Sequence, residues 1–209
     1  MTRGHIPGVL VDADVWFSRT RRDWFGILYT CQDVPPFQVF WAEDILAELI
    51  ANLRDTFPNW NGRRIATVRD RLAGTFEAGR VLEYEIDGSY QGIDEGDAHV
   101  HAAAIACGAQ YLVTCNSKDF RWDENSSPYE VVHPDEFLTL VDDSAPALVR
   151  RATQDMVGYW FGKRQSAELP QHLLKADCPG FAERVRQHLQ AMAGQANFRA
   201  GSGGPSPSH

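Results

Sequence analysis

Lysine is nearly missing from this 209-residue chain: Lys118, Lys163 and Lys175 are the only three, and the remaining bases among its 20 are arginines. Arginine is the better fork for phosphate, so the bias leaves room for anionic partners. Long hydrophobic runs are missing too. None reaches the ~18 residues of a membrane-spanning helix. The opening MTRGHIPGVLVDADVW has too short an apolar core, broken by aspartates, for a secretory signal. Cysteines are few and unpaired in pattern: Cys31, Cys107, Cys115 and Cys178 contain no CxxC spacing. Reduced thiols in a cytoplasmic protein are the reading, over disulfides or zinc. Positive charge is short as well, with a net charge of −8. That balance argues against a protein held on nucleic acid by bulk electrostatics alone. A nucleic-acid enzyme stays open, because an acidic metal site adds to the total. No internal repeat is present.

What is there reads as strands alternating with helices. Gly8-Val9-Leu10-Val11 is apolar without alternation, as a strand covered on both faces should be. Residues 15–28 predict a helix with an arginine-rich side, and residues 37–41 a brief extended link. In residues 42–57, Ile45, Leu46, Leu49, Ile50 and Leu53 recur at helical spacing until Pro58 stops them. Asn61 fits the cap of a further helix to about residue 77. Residues 81–86 are ambiguous and 88–96 turn-rich. An alanine-rich helix follows over 97–108, stopped by Gly108. Residues 111–114 and 129–132 read as buried strands, and Pro134 opens another helix. The alternation implies parallel pairing and an α/β sandwich, with sites beyond the carboxyl ends of the strands. Residues 1–141 form this domain. Residues 142–194 read as a helical extension, with helices at 145–165, 169–175 and 181–192. The Gly/Ser/Pro-rich residues 195–209 have nothing to bury and are expected to be disordered.

Four acids stand out, each with an ordinary explanation. Asp12 ends the first strand and could simply form a turn or cap the next helix. Glu48 lies beside the apolar stripe of its helix and could snorkel. Asp97 opens the alanine-rich helix, where aspartate is a good cap. Asp119 sits in the polar loop after the third strand. Together they read differently, since clustered carboxylates repel and raise one another's pKa unless a cation neutralises them. Hard oxygen donors suit Mg²⁺ or Mn²⁺, ions that activate water and clamp a displacement at phosphorus.

The blocks VLVDADVWFS, AELIANL, DAHVHAAAIACGAQYLVTCNSKDF and VVHPDEFL resemble PIN-domain proteins. The similarity is closest to the VapC-type toxin ribonucleases of toxin–antitoxin pairs, and it covers residues 8–141. The resemblance implies a PIN-like three-layer sandwich around a central parallel sheet. It also implies an Mg²⁺- or Mn²⁺-dependent endoribonuclease using metal-activated water. Asp12, Glu48, Asp97 and Asp119 would be catalytic, with Asp12, Asp97 and Asp119 on the metal. Thr114 would orient water or an acid. Asn116 stands where many relatives carry the fourth acid, so either Asn116 or Asp119 completes the site. The implied partners are RNA, an antitoxin protein that inserts arginine among the acids, and a second copy of the chain.

Two rivals remain. Asp12-Ala-Asp14 matches the DxD opening of haloacid-dehalogenase-type phosphatases, but no GDxxxD-like stretch follows any of the lysines. A non-catalytic PIN-like binding module is the other. On the nuclease reading Asp14 is a helix cap. His99 and His101 point apart on a helix, so at most His101, one turn beyond Asp97, borders the site. Arg19, Arg21 and Arg22, and behind them Arg63, Arg64, Arg69 and Arg71, are candidate phosphate contacts.

Overall fold

The computed structural model describes residues 6–120, 127–162 and 168–201, without the side chains of 160–162 and 196–201. Its centre is a sheet of four parallel strands: β1 (Gly8–Val11), β2 (Gln38–Phe40), β3 (Tyr111–Val113) and β4 (Glu130–Val132), in the order β2-β1-β3-β4. Every residue of β1 is buried, the cost of two covered faces met by an all-apolar strand. β1 has β2 on one side and β3 on the other, so the chain reverses its direction of winding between β1 and β3. That reversal opens a crevice at the carboxyl ends of those two strands. Val11 pairs with Val113, which sets Asp12 opposite Thr114 at the crevice.

Helices enclose the sheet, as an α/β sandwich requires. After β1 come α1 (Ala13–Phe17) and α2 (Arg19–Thr30). The single helix expected over 15–28 is therefore two. Ser18 adopts an extended conformation, ends α1, and caps α2 by accepting a hydrogen bond from the Arg21 amide at 3.4 Å. α3 (Glu43–Thr56) buries Ile45, Leu46, Leu49 and Leu53, the face expected from their spacing. α4 (Gly62–Thr75) is capped by Asn61 as predicted. Residues 81–86 form no regular strand; only the Trp41–Arg80 bridge extends the sheet edge there. α5 (Ala98–Ala106) is followed by Gly108 at φ +62°, the left-handed conformation that lets a helix stop without a Cβ clash.

α6 (Pro134–Ser144) runs through the expected boundary at residue 141, and α7 (Pro146–Gly162), α8 (Leu169–Lys175) and α9 (Pro179–Gly201) follow. Residues 163–165 of the expected 145–165 helix, and 202–209 of the tail, lie outside the described residues. Residues 195–201, expected to lack structure, continue α9. α7 and α8 pack on α2, and α7 and α9 pack on α6, so the later helices share the core of the sheet domain. Phe25 sits at the junction, 5.6 Å from Phe137 in a stacked pair and 5.5 Å from Trp16 edge to face. Asp135 in α6 accepts from the Gly180 and Phe181 amides at 3.0 and 2.8 Å, satisfying the open amino end of α9. Among the described residues no helix is long and apolar enough to cross a membrane.

Candidate active site

Asp12 and Asp14 stand at the crevice between β1 and β3, and acids from other segments act on them or on one another. Asp12 is 5 % exposed. Its carboxylate accepts from the Ala13 amide at 2.6 Å and from the Thr114 hydroxyl at 2.9 Å. Asp12 is thus the cap of α1, and Asp14 is not, contrary to expectation. One residue into the helix, Asp14 turns its carboxylate across the crevice to accept from the Cys115 amide at 3.0 Å and lie 3.2 Å from the Thr114 hydroxyl. A hydroxyl has one proton, so Thr114 stands between two carboxylates and can satisfy only one at a time. Its oxygen also accepts from the Asn116 amide at 3.0 Å.

Asp97 is not a cap either. It ends a 3-10 turn over Glu95–Asp97, is itself in a helical conformation, and its side chain makes no capping bond; Asp94 caps that turn instead. Asn116 donates from its amide to Asp119, so the two candidates for the fourth position act as a pair, Asn116 orienting Asp119.

The electrostatics follow from the crowding. Burial first, then the charge of Asp14 and, more weakly, of Glu48, push Asp12 up to about 8. Burial also raises Asp14, offset in part by the Cys115 amide and the Thr114 hydroxyl. Asp97 is pushed up to about 6 by burial, then by Asp94, Asp119 and Glu48. The charge of Glu48 thus acts on both Asp12 and Asp97.

Two residues at the site escaped that reading. His99, rather than His101, meets the acids: its Nε2 lies 3.6 Å from a Glu48 oxygen. His99 Nδ1 lies 2.7 Å from the Gly96 carbonyl, which can only accept, so Nδ1 carries the proton. Nε2 is buried and makes no hydrogen bond, with the Glu48 carboxylate its nearest charged neighbour. His101 is turned away and spans Tyr129 and Ser89, at 2.8 and 3.0 Å. Both of its ring nitrogens are engaged there, and for that reason His101 does not meet the acids as expected. Tyr90 is the second. Its hydroxyl donates to the Asp119 carbonyl at 2.9 Å, and burial with the nearby Asp97, Asp119 and Asp94 pushes the phenol up. Gly92 allows this approach: a Cβ there would fall 2.1 Å from both the Asp119 carbonyl oxygen and the Tyr90 hydroxyl. The turn-rich character of 88–96 was visible in sequence, but not its closeness to the acids.

Arg21 leaves the list of phosphate contacts. It is buried, donates from Nε to the Ala176 carbonyl at 2.9 Å and from Nη1 to the Cys115 sulfur at 2.7 Å, and lowers the pKa of Asp14. Arg22 donates to the Phe17 carbonyl at 3.0 Å and to that of Trp16. Arg19 pairs with Asp23 at 3.5 Å on the surface of α2.

Among the described residues, no group of three or more histidine, cysteine, aspartate or glutamate side chains stands in metal-holding geometry. The donor chemistry nonetheless fits a hard divalent cation. The facing groups are carboxylates that raise one another's pKa, and an orphaned imidazole nitrogen borders them. Fold and site together define an α/β protein with an acidic crevice at the switch point of a parallel sheet. Compared with models of protein families, with curated proteins and with solved structures, the chain finds no match.

Proposed function

We propose that the chain is a metal-dependent endoribonuclease with a PIN-like fold. The observation that supports this reading is the crowding of acids from separate segments: Asp12 and Asp97 are both pushed up in pKa, Glu48 acting on each of them and Asp119 on Asp97. Asp12, Asp97 and Asp119 would hold Mg²⁺ or Mn²⁺, which when bound supplies positive charge against the phosphodiester and acidifies water. The protein's own groups have distinct tasks. Thr114 fixes the orientation of Asp12, and Asn116 that of Asp119. Glu48 and His99 form the side of the crevice where a proton can be taken up, at His99 Nε2 or the Glu48 carboxylate. Cys115 is not a nucleophile here: burial, with Asp14 next, pushes it up to about 12, so it stays a thiol.

The resemblance to VapC-type toxins extends the proposal to a cytoplasmic toxin silenced by an antitoxin and able to pair with a second copy. The phosphatase alternative is disfavoured by the sequence, in which no GDxxxD-like stretch follows any of the three lysines. The test is cleavage of labelled RNA with Mn²⁺, Mg²⁺ or EDTA. Asp97→Asn should lower the metal-dependent rate by about a hundredfold or more while the melting temperature stays near that of the parent chain. An Asp97→Asn protein that cuts as fast as the parent would eliminate the catalytic account and favour a binding module.

A further inference from the structure

Away from the acids, α2, α4 and α7 enclose a cleft of about 570 Å³, within the roughly 300–1,000 Å³ range of small-ligand sites. Ile27, Leu72 and Phe76 make its floor apolar. Among the described residues, Arg19, Arg22, Arg64 and Arg71 stand around it with Asp23 and Asp155. The cleft is therefore a cationic island on a chain of net charge −8. An apolar floor under a surplus of guanidinium groups suits a ligand with a flat body and an anionic end.

The flat body has a matching surface. Phe17, at the end of α1, stacks on Phe57 at 6.1 Å, and Phe57 stacks on Trp60 at 4.4 Å, with interplanar angles of 10° and 9°. The guanidinium of Arg64 continues the column, 3.6 Å from the centroid of the Trp60 ring. One face of Arg64 is thus occupied by indole, and Arg64 itself lines the cleft. Guanidinium planes and aromatic rings are the platforms on which bases stack. Arg22, anchored by the Trp16 and Phe17 carbonyls, is preset beside it for a phosphate.

We propose that this cleft binds a nucleoside phosphate unit, its base on the Trp60–Arg64 column and apolar floor and its phosphate on Arg22 and Arg71. The assignment is independent of the nuclease reading, because none of these side chains belongs to the acidic crevice. The unit can come from a free mononucleotide or from a strand of RNA, and the same chemistry recognises both.

Gly26 provides the decisive variant. It lies within α2 and lines the cleft, and a Cβ there would meet nothing within 4 Å. Gly26→Leu therefore fills the cavity while improving helix propensity. With EDTA present, the full chain would be titrated with adenosine 5′-monophosphate by calorimetry and with fluorescein-labelled oligouridylate by anisotropy. Binding of either probe, weakened about tenfold or more by Gly26→Leu and by Arg71→Gln, with circular dichroism unchanged, is the expected result. Mononucleotide binding identifies a free nucleotide as the ligand, and binding of the oligomer alone identifies RNA. The proposal is overturned if neither probe binds, if both variants bind as the parent does, or if inorganic phosphate competes as well as the mononucleotide.

Discussion

Replacing Asp12 by asparagine should make the metal-free protein more stable. Asp12 is 5 % exposed and is pushed up to about 8, chiefly by burial and then by Asp14. Its ordinary value, 3.8, applies in the unfolded chain. The folded state thus binds a proton that the unfolded state releases anywhere between those values. Its contribution to stability is fully present below about pH 4 and is lost as pH rises toward about 8. At neutral pH the gross penalty is about 4 kcal/mol, from 1.36 kcal/mol per pKa unit. Sharing of the proton with Asp14, and the loss of one hydrogen bond to Thr114, reduce the net gain from Asp12→Asn to about 1–3 kcal/mol. The substitution is otherwise mild. Asparagine still caps α1 through its carbonyl oxygen, and the Thr114 proton can turn to Asp14, 3.2 Å away. For a chain of this size the melting temperature should rise by roughly 3–10 °C in EDTA at about pH 7.5. Mn²⁺ should stabilise the parent and have little effect on the variant. Thermal melts across pH, with and without metal, read both effects. A variant that melts below the parent in EDTA, or a metal-free parent that gains stability from pH 5 to 8, would refute the reasoning.

Three further outcomes are expected. Arg21→Met should cost about 2–4 kcal/mol in chemical denaturation, because it strips the Ala176 carbonyl of its donor and Asp14 of its counter-charge. His99→Ala should weaken the Mn²⁺-induced rise in melting temperature, shifting its midpoint about tenfold, whereas His101→Ala should lower stability without moving that midpoint. Any turnover of p-nitrophenyl phosphate should be insensitive to Asp14→Asn; turnover that this change abolishes would replace the nuclease reading with the phosphatase one.

Strong local patterns were the ones that could be read from the chain alone. The apolar run of β1, the stripe of α3, the Asn61 cap and Gly108 are fixed by neighbours close in sequence, and they fall where expected. The parallel order followed from alternation, and with it the placing of Asp12 beside the segment after β3. Misreadings arose where contacts across the fold decide. Asp12 and Asp14 have equal claims as a cap, and only the Cys115 amide, about a hundred residues away in sequence, assigns Asp14 elsewhere. Arg21 looks like its neighbours Arg19 and Arg22 until the Ala176 carbonyl claims it. The His99–Glu48 encounter joins α5 to α3 across the fold, which no local spacing announced.

The reach of Arg21 makes the sheet domain and the later helices thermodynamically inseparable. Its guanidinium spans Asp14, Cys115 and the end of α8, so detaching the helices would break its bond to the Ala176 carbonyl and expose the apolar core that both parts share. Melting should accordingly occur as a single transition, and a chain trimmed before α7 should lose its tertiary order rather than persist as a smaller enzyme.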